Sequence, residues 1–516
     1  MNYFKFTFSF LLFAFSALNA QTVPSIQWQK ALGGSNGDKA NSIQQTSDGG
    51  YIMAGGSASN NGDVTGNHGN TDYWIAKLNA LGTIEWQKSL GGTTNDIANS
   101  VQQTSDGGYI IAGETYSNDG DVTGYHLNGD YWIVKLNASG TLQWQKTLGG
   151  TEYDVANSVK QTSDGGYIVA GETSSSDGDV IGNHGNADAW IVKLDTSGNI
   201  QWQKSLGGSS YDRANAIQQT SDEGYIIAGT AASTDGDVTV NYGIEDFWIV
   251  KLDASGILQW QKSLTGNLAD SAESIQQTSD GGYIVAGGSN SVNSEFPVTF
   301  GISNYCVAKL DANGSTVWQK YFGGSNNDYA YSIQQTSDSG YIVAGLAASA
   351  NGNVTGSHGS GDYWVIKLDT SGSEQWQKAL GGSSFEEAYA IQQTADGGYI
   401  LAGSAASTDG DITGNQGNTD AWIVKLSSGQ LSTGENNLIN KPELYPNPAK
   451  DWVNLNNLPQ GSFIEIFDLS GKVIFNKKDS TGNIRINTSS FTNGVYIIKV
   501  QDKGKIILSE KLIIRK

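Results

Sequence analysis

Four segments carry oxygen-bearing side chains at a spacing that a hard cation would use. Asp119-Gly120-Asp121-Val122-Thr123-Gly124 is followed by Asp130, eleven residues after Asp119. Oxygen donors at positions 1, 3, 5 and 12, with glycine at 6 for the bend, let a chain fold back around calcium. Asp409, Asp411, Thr413, Gly414 and Asp420 repeat the pattern. Asp177, Asp179, Gly182 and Asp188 repeat it with Ile181 at position 5, and Asp235, Asp237, Thr239 and Asp246 with Val240 in place of glycine. Calcium is therefore the one cofactor these residues raise as a candidate. Thr is a weaker ligand than Asp, however, the last acid is Asp rather than Glu, and no helical period flanks the loops. The competing reading makes Asp-Gly a turn and has the last Asp hydrogen-bond the loop backbone.

Little else in the chain suggests chemistry. His68, His126, His184 and His358 occupy one equivalent place in four units, which Tyr242, Phe300 and Gln416 fill elsewhere. A solvent-facing loop role is expected of them. A single cysteine, Cys306, stands where other units have Trp, and excludes a disulfide framework or a cysteine zinc cluster. There is no nucleophile elbow, no phosphate-cradling glycine loop and no evident acid pair that breaks the repeat. No catalytic residue is assigned, and an enzyme is not the first expectation. Only unit five, Ser289–Asn304, departs clearly from its fellows.

Charge narrows the partners. The chain of 516 residues carries 51 Asp and Glu against 30 Lys and Arg, a formal charge of −21. Residues 441–516 are basic, with 12 Lys and Arg against 7 Asp and Glu, so the rest is more acidic still. Such a surface repels phosphate backbones, and nucleic acid is not an expected partner. Residues 1–20 read as a secretory signal, with Lys5 before the apolar run Phe6–Leu18 and a small residue at Ala20. No later stretch is apolar enough to span a membrane.

The elements that position these residues follow from a strict period. Trp28, Trp86, Trp144, Trp202, Trp260, Trp318 and Trp376 each open a Trp-Gln-Lys triplet, and each lies 58 residues after the last. A second Trp series, from Trp74 to Trp422, keeps the same interval. Each unit reads as four short strands. In the first, Ser42–Thr46 and Tyr51–Gly55 flank an Asp48-Gly49 hairpin, a long polar loop follows, and then come Tyr73–Leu78 and Ile84–Lys88. The array opens on a fourth strand, Ser25–Lys30, and ends on a third, Ala421–Leu426. The expectation is an all-β, seven-bladed propeller over residues 21–427, with the N-terminal strand completing the last blade. Both Trp series then read as packing between blades. The long loops and the Gly-Gly loops with Asp38, Asp96, Asp154, Asp212, Asp270, Asp328 and Glu386 should share one acidic rim, the default binding surface.

The repeat resembles bacterial seven-bladed propeller repeats of exported proteins, through Trp28-Gln29-Lys30-Ala31-Leu32-Gly33-Gly34-Ser35, then Asp38, Ala40, Ile43, Asp48-Gly49 and Tyr51, with Glu295-Phe296-Pro297 in unit five. That resemblance implies a fold and an exported setting but no activity. After a linker at 428–440, residues 441–516 read as a small Ig-like β-sandwich. They resemble the type A C-terminal sorting domain of the Bacteroidetes type IX secretion system, through Leu444-Tyr445-Pro446-Asn447-Pro448-Ala449, Ile466-Phe467-Asp468-Leu469-Ser470-Gly471-Lys472, Asn493–Val500 and Lys511–Lys516. The resemblance implies the type IX machinery as a partner through 441–516, removal of the domain, and release or attachment at the cell surface. The functional expectation is a secreted or surface binding protein or scaffold for an extracellular polymer or protein. The alternative is an extracellular polysaccharide- or peptide-degrading enzyme with an acidic site on the loop face.

Overall fold

A computed structural model describes residues 22–264, 266–291, 303–429, 443–459, 461–468, 471–478, 482–502 and 505–516. The export segment at 1–20, most of the linker at 428–440, and Glu295-Phe296-Pro297 lie outside the described residues. The chain divides into two compact units after Gln430. Among the described residues every regular element is a strand, and no helix is long and apolar enough to cross a membrane.

The first unit begins with β1 (Ile26–Leu32). Then come β2 (Asp38–Gln45), β3 (Tyr51–Ser57), β4 (Asp72–Leu78) and β5 (Ile84–Leu90), which form one antiparallel sheet in chain order. The set recurs as β6–β9 (96–148), β10–β13 (154–206), β14–β17 (212–264), β18–β21 (270–322) and β22–β25 (328–380). The last set is β26 (Glu386–Gln393), β27 (Tyr399–Ala405) and β28 (Asp420–Leu426), and its fourth strand is β1. β1 runs antiparallel to β28, with Ala31 opposite Trp422 and Leu32 opposite Ala421.

Each sheet packs face to face on the next, which makes the unit a propeller-type fold. The two middle strands are buried along their whole length, because both of their faces are covered. This is why β4 reads Asp-Tyr-Trp-Ile-Ala-Lys-Leu without alternation. Trp74, Trp132, Trp190, Trp248, Trp364 and Trp422 are fully enclosed, and Cys306 takes the same enclosed place. The other Trp series meets the following sheet edge-on, as in Trp86 with Tyr109 at 5.6 Å between ring centres. The same contact joins the last sheet to the first, Trp28 to Tyr51 at 5.7 Å. Where the enclosed strand carries Tyr, its hydroxyl donates to the next sheet: Tyr73 to Trp132 O at 2.8 Å and Tyr131 to Trp190 O at 2.9 Å.

The innermost strands leave their edges facing a central cavity of about 550 Å3, lined by one strand of each of seven sheets. Side chains of the neighbouring sheet cap those edges. Asn41 Nδ2 donates to Ala98 O, and Ser42 Oγ accepts from Val101 N–H. Gln44 Oε1 accepts from Gln103 N–H at 2.7 Å, and Gln103 Oε1 accepts from Ser47 N–H at 2.9 Å. Between last sheet and first, Gln392 Oε1 accepts from Gln45 N–H and Gln45 Oε1 from Ala395 N–H.

The second unit holds β29 (Glu443–Tyr445), β30 (Trp452–Asn456) and β33 (Ile484–Asn487) in one sheet. The other contains β31 (Phe463–Phe467), β32 (Val473–Lys478), β34 (Gly494–Asp502) and β35 (Lys505–Ile514). Val453 and Leu455 of the first share a core with Ile464, Ile466, Ile498 and Leu512 of the second.

The first hairpin of each repeat needs a left-handed residue after Asp, supplied in the first by Gly49 at φ +83°. Two repeats place a side chain there: Glu223 and Ser339, both at φ +66°. A Cβ in that conformation costs about 1–2 kcal/mol. Ser339→Gly and Glu223→Gly should each raise stability by about 1 kcal/mol, read as a higher denaturation midpoint with an unchanged m-value.

Candidate functional site

The candidate calcium loops are built differently from a cation cradle. Asp119 Oδ1 accepts Thr93 N–H at 2.8 Å, and Asp121 Oδ2 accepts Gly91 N–H at 3.3 Å. Thr123 Oγ1 accepts from Gln145 Nε2, and Asp130 Oδ2 accepts His126 N–H at 2.7 Å. In the next repeat Asp177 binds Thr151 N–H, Asp179 binds Gly149 N–H and Asp188 binds His184 N–H. In the last, Asp409 binds Ser383 N–H, Asp411 binds Gly381 N–H, Thr413 binds Gln29 and Asp420 binds Gln416 N–H. Each of these residues thus gives at least one oxygen to a backbone or amide donor, and the loop is stapled onto the Gly-Gly segment below it. Among the described residues no group of three or more His, Cys, Asp or Glu could hold a metal ion. The donor set does not fit the calcium expectation. What the structure displays is the turn-and-cap role of these acids.

The expected acidic rim is also corrected. Asp38, Asp96, Asp154, Asp212, Asp270, Asp328 and Glu386 are buried, at 0–1 % exposure. They anchor the Gly-Gly segment from within, as Asp154 Oδ2 does by accepting Gly150 N–H and Ser175 Oγ–H, each at 2.8 Å. The last acid of the preceding long loop lies beside each of them. A Cβ on Gly149 would stand 2.5 Å from Asp154 Oδ2 and 2.7 Å from Asp130 Oδ1. That Asp130 oxygen has no hydrogen-bond partner, nor do its equivalents in Asp72, Asp188, Asp246, Asp362 and Asp420. In the fifth repeat the orphan oxygen belongs to an amide, Asn304. Burial, opposed by the His126 hydrogen bonds and reinforced by Asp154, pushes Asp130 up to about 6. Asp246 and Asp420 also rise to about 6, burial again leading. The histidines are half-exposed, and three of them place Nδ1 within 3.0 Å of the buried Asp four residues on.

The departure from repetition lies elsewhere, at the loop-side end of the central cavity. There β6–β9 and β10–β13 place Glu114 and Glu172, where other repeats have Gly56, Thr230, Gly288, Leu346 or Ser404. One step across, the position of Ile97 and Val155 is Lys39, Arg213, Tyr329 and Glu387 in other repeats. The Asn41 position becomes Glu273, Tyr331 and Tyr389 in the last three. Of these, Glu114, Glu172, Arg213 and Glu273 line a polar recess of about 350 Å3, together with Tyr153 and Asn215. Tyr153 donates to Glu114 Oε2 at 3.1 Å, and Tyr329 donates to Glu273 Oε1 at 2.7 Å. Arg213 reaches Ser271 Oγ only at 3.5 Å, and its Nε is buried without a partner. Glu172 takes no hydrogen bond among the described residues. Burial raises Glu114 and Glu172 above the usual carboxylate range; for Glu172, Arg213 opposes the rise and Glu114 adds to it, and for Glu114, Tyr153 and Lys39 oppose it. Burial likewise lowers Lys39, against the pull of Glu114 and Glu387.

These acids break the repeat, contrary to the sequence expectation. Lining up the seven units column by column shows Glu114 and Glu172 against Gly, Thr, Leu and Ser. The signal was present, but nothing in one linear reading says that this column faces a cavity. The fifth repeat contributes Glu273 to the recess, whereas the described residues of its divergent loop, Ser289–Ser291 and Ser303–Asn304, do not line it.

Residues 443–515 match the family described as the secretion system C-terminal sorting domain. The chain therefore carries a type IX sorting domain and is handled by that secretion machinery toward the cell surface or extracellular space. Over 170 residues it is 25 % identical to the regulatory protein FlaEY of Caulobacter vibrioides, covering 30 % of this chain and 17 % of that protein. Among solved structures it is similar to PorZ, an essential bacterial surface component of the type IX secretion system of Porphyromonas gingivalis. That match has 12 % identity and a TM-score of 0.38, over 94 % of this chain and 61 % of that one. It is also similar to the WD40 domain of Neurospora crassa Pan2, with 12 % identity and a TM-score of 0.44 over 80 % and 97 % of the two chains.

The buried acids set the pH response. Asp130, Asp246 and Asp420 carry a penalty above pH 6 that is relieved as pH falls toward 3.8. The hairpin acids behave oppositely. Against partial burial, hydrogen bonds from Lys77, Thr46 and Gly50 hold Asp48 at about 2, and Asp106, Asp164 and Asp280 follow. Their stabilisation is full above pH 3.8 and lost toward pH 2. The melting temperature should therefore be higher at pH 5 than at pH 8 and fall steeply below pH 3.5. Asp130→Asn, the substitution that Asn304 already makes, should raise it by about 2–4 °C at pH 8 and by clearly less at pH 5. Equal effects at both values would remove the titration account.

Proposed function

We propose that this protein is an exported binding protein built on a closed seven-bladed ring, with the loop-side mouth of its central cavity as the ligand site. The ring reading is supported by the last sheet meeting the first through the same Trp–Tyr contact as every other pair and the same Gln–backbone contacts as most. Residues 21–427 then form the ring, 428–440 the linker and 441–516 the sorting domain, which the machinery removes after use of the leader at 1–20. The mature protein is released or displayed at the outer surface.

One observation carries the site. In a structure that repeats nearly everywhere, charged and tyrosyl side chains replace small ones at a single end of the cavity, and Glu172 and Arg213 are left there without good partners. Carboxylates, amide oxygens and phenols, with one guanidinium, suit a hydroxyl-rich ligand that donates hydrogen bonds. A glycan segment of the extracellular matrix has this chemistry. The second reading, a hydrolase, is favoured by the proximity of Glu114 and Glu172, both raised above their usual range, as an acid–base pair would be.

A glycan array with the purified protein, followed by calorimetry on the best ligand, tests the site. Glu172→Gln and Arg213→Met should each weaken binding at least tenfold with the melting temperature nearly unchanged. Retained affinity in both variants would move the site away from the cavity mouth. A screen for reducing-end release separates the readings: turnover abolished by Glu172→Gln would favour the hydrolase.

A further inference from the structure

At the opposite, turn-side end of the cavity, one position is glutamine in six repeats, and its Oε1 caps the edge N–H of the following sheet in each. In the third repeat that position is Lys160. An ammonium accepts no hydrogen bond. Gln219 N–H, the group that Lys160 should cap by register, therefore has no side-chain acceptor among the described residues. Lys160 itself has no hydrogen-bond acceptor or ion pair there either, although both residues line the cavity. Burial, with no opposing carboxylate, lowers Lys160 below the ordinary lysine value.

Two other edge N–H groups lose their caps for a different reason. Ala216 and Ala390 stand where Ser42 caps Val101, leaving Ile275 and Ile43 uncapped. Those places bring no cation and can be served by water. Only at Lys160 do a full positive charge and an open backbone donor face the same space. An unpaired charge in a recess is expensive unless a counter-charge joins it.

We propose that Lys160 Nζ and Gln219 N–H form a binding site for one small oxyanion, a carboxylate or a phosphate, at the turn-side end of the central cavity. The ligand's oxygens replace the missing glutamine acceptor and neutralise the lysine, by the same pairing of charge and backbone donor that serves anions elsewhere. The surrounding acidity keeps anions off the remainder of the surface, so the site is selective by contrast.

The test is calorimetric titration of the purified protein with sodium acetate and, separately, sodium phosphate at constant ionic strength. Wild type should bind one equivalent of at least one of them, and Lys160→Met and Lys160→Gln should weaken it at least tenfold. Acetate alone would identify a carboxylate source, and phosphate alone a phosphate source. In the absence of added anion, Lys160→Gln should melt above Lys160→Met, because glutamine restores the seventh cap. Indistinguishable titrations of wild type and Lys160→Met, or no saturable heat with either anion, would overturn the site. Equal melting of the two variants would overturn the role of Gln219 N–H.

Discussion

Each sheet of the first unit ends, on its inner side, in an edge strand that cannot pair with another strand. Its outward N–H and C=O groups meet a cavity instead of a ladder, and an unmet buried group costs about 1–3 kcal/mol. The rest of the arrangement follows from how those groups are satisfied. Asn41, Ser42, Gln44 and Gln103 each serve backbone groups of a neighbouring sheet. Asn-Ser-Ile-Gln-Gln is thus a set of instructions for the next repeat, with Ile43 turned into the core between them. An edge that would otherwise invite aggregation is occupied from within the molecule.

The same logic explains what sequence reading could and could not reach. The strands, the hairpin at Asp48-Gly49 and the inter-sheet tryptophans were legible, because periodicity and turn chemistry are local. The loop acids were legible as turn formers but equally as ligands. Spacing along a chain does not say whether Asp119, Asp121 and Asp130 converge, and in three dimensions each points to a different backbone group. The burial of Asp38 and its equivalents was not legible either. Carboxylates are ordinarily exposed, and only the paired Ser57 and Ser59, nineteen and twenty-one residues away, make an enclosed one tolerable. The cavity-mouth site was hardest to see, since Glu114 and Glu172 are two acids among 51 until the fold shows which columns share a wall.

Asn304 bears on the seam acids. An amide has nearly the shape of a neutral carboxylic acid and cannot ionise. Its presence at one of seven equivalent places, with the same orphan oxygen, shows that the position does not demand a charge. It fits the raised titration of Asp130, Asp246 and Asp420, and it weighs against reading these acids as a cation cage, for which charge would be the point.

Variation within a repeat protein is informative only against the jobs its positions perform. Columns that cap, staple or pack are held in most units here, and some failures, as at Ala216 or Cys306, bring a small and neutral replacement, unlike Lys160 in the Gln44 column or Glu273, Tyr331 and Tyr389 in the Asn41 column. The columns of Gly56 and Lys39 have neither a partner to cap nor a core to fill, so neutral drift would scatter polar surface residues over them. They carry instead Lys39, Glu114, Glu172, Arg213 and Glu387; burial lowers the titration of Lys39 and raises that of Glu114 and Glu172, and Glu114 and Glu387 accept hydrogen bonds from Tyr153 and Tyr389. Burying charge without need is disfavoured by several kcal/mol per group. Drift alone does not accumulate such a cost at one end of one cavity. The concentration of costly side chains where the scaffold asks for none is the physical reason to place recognition there.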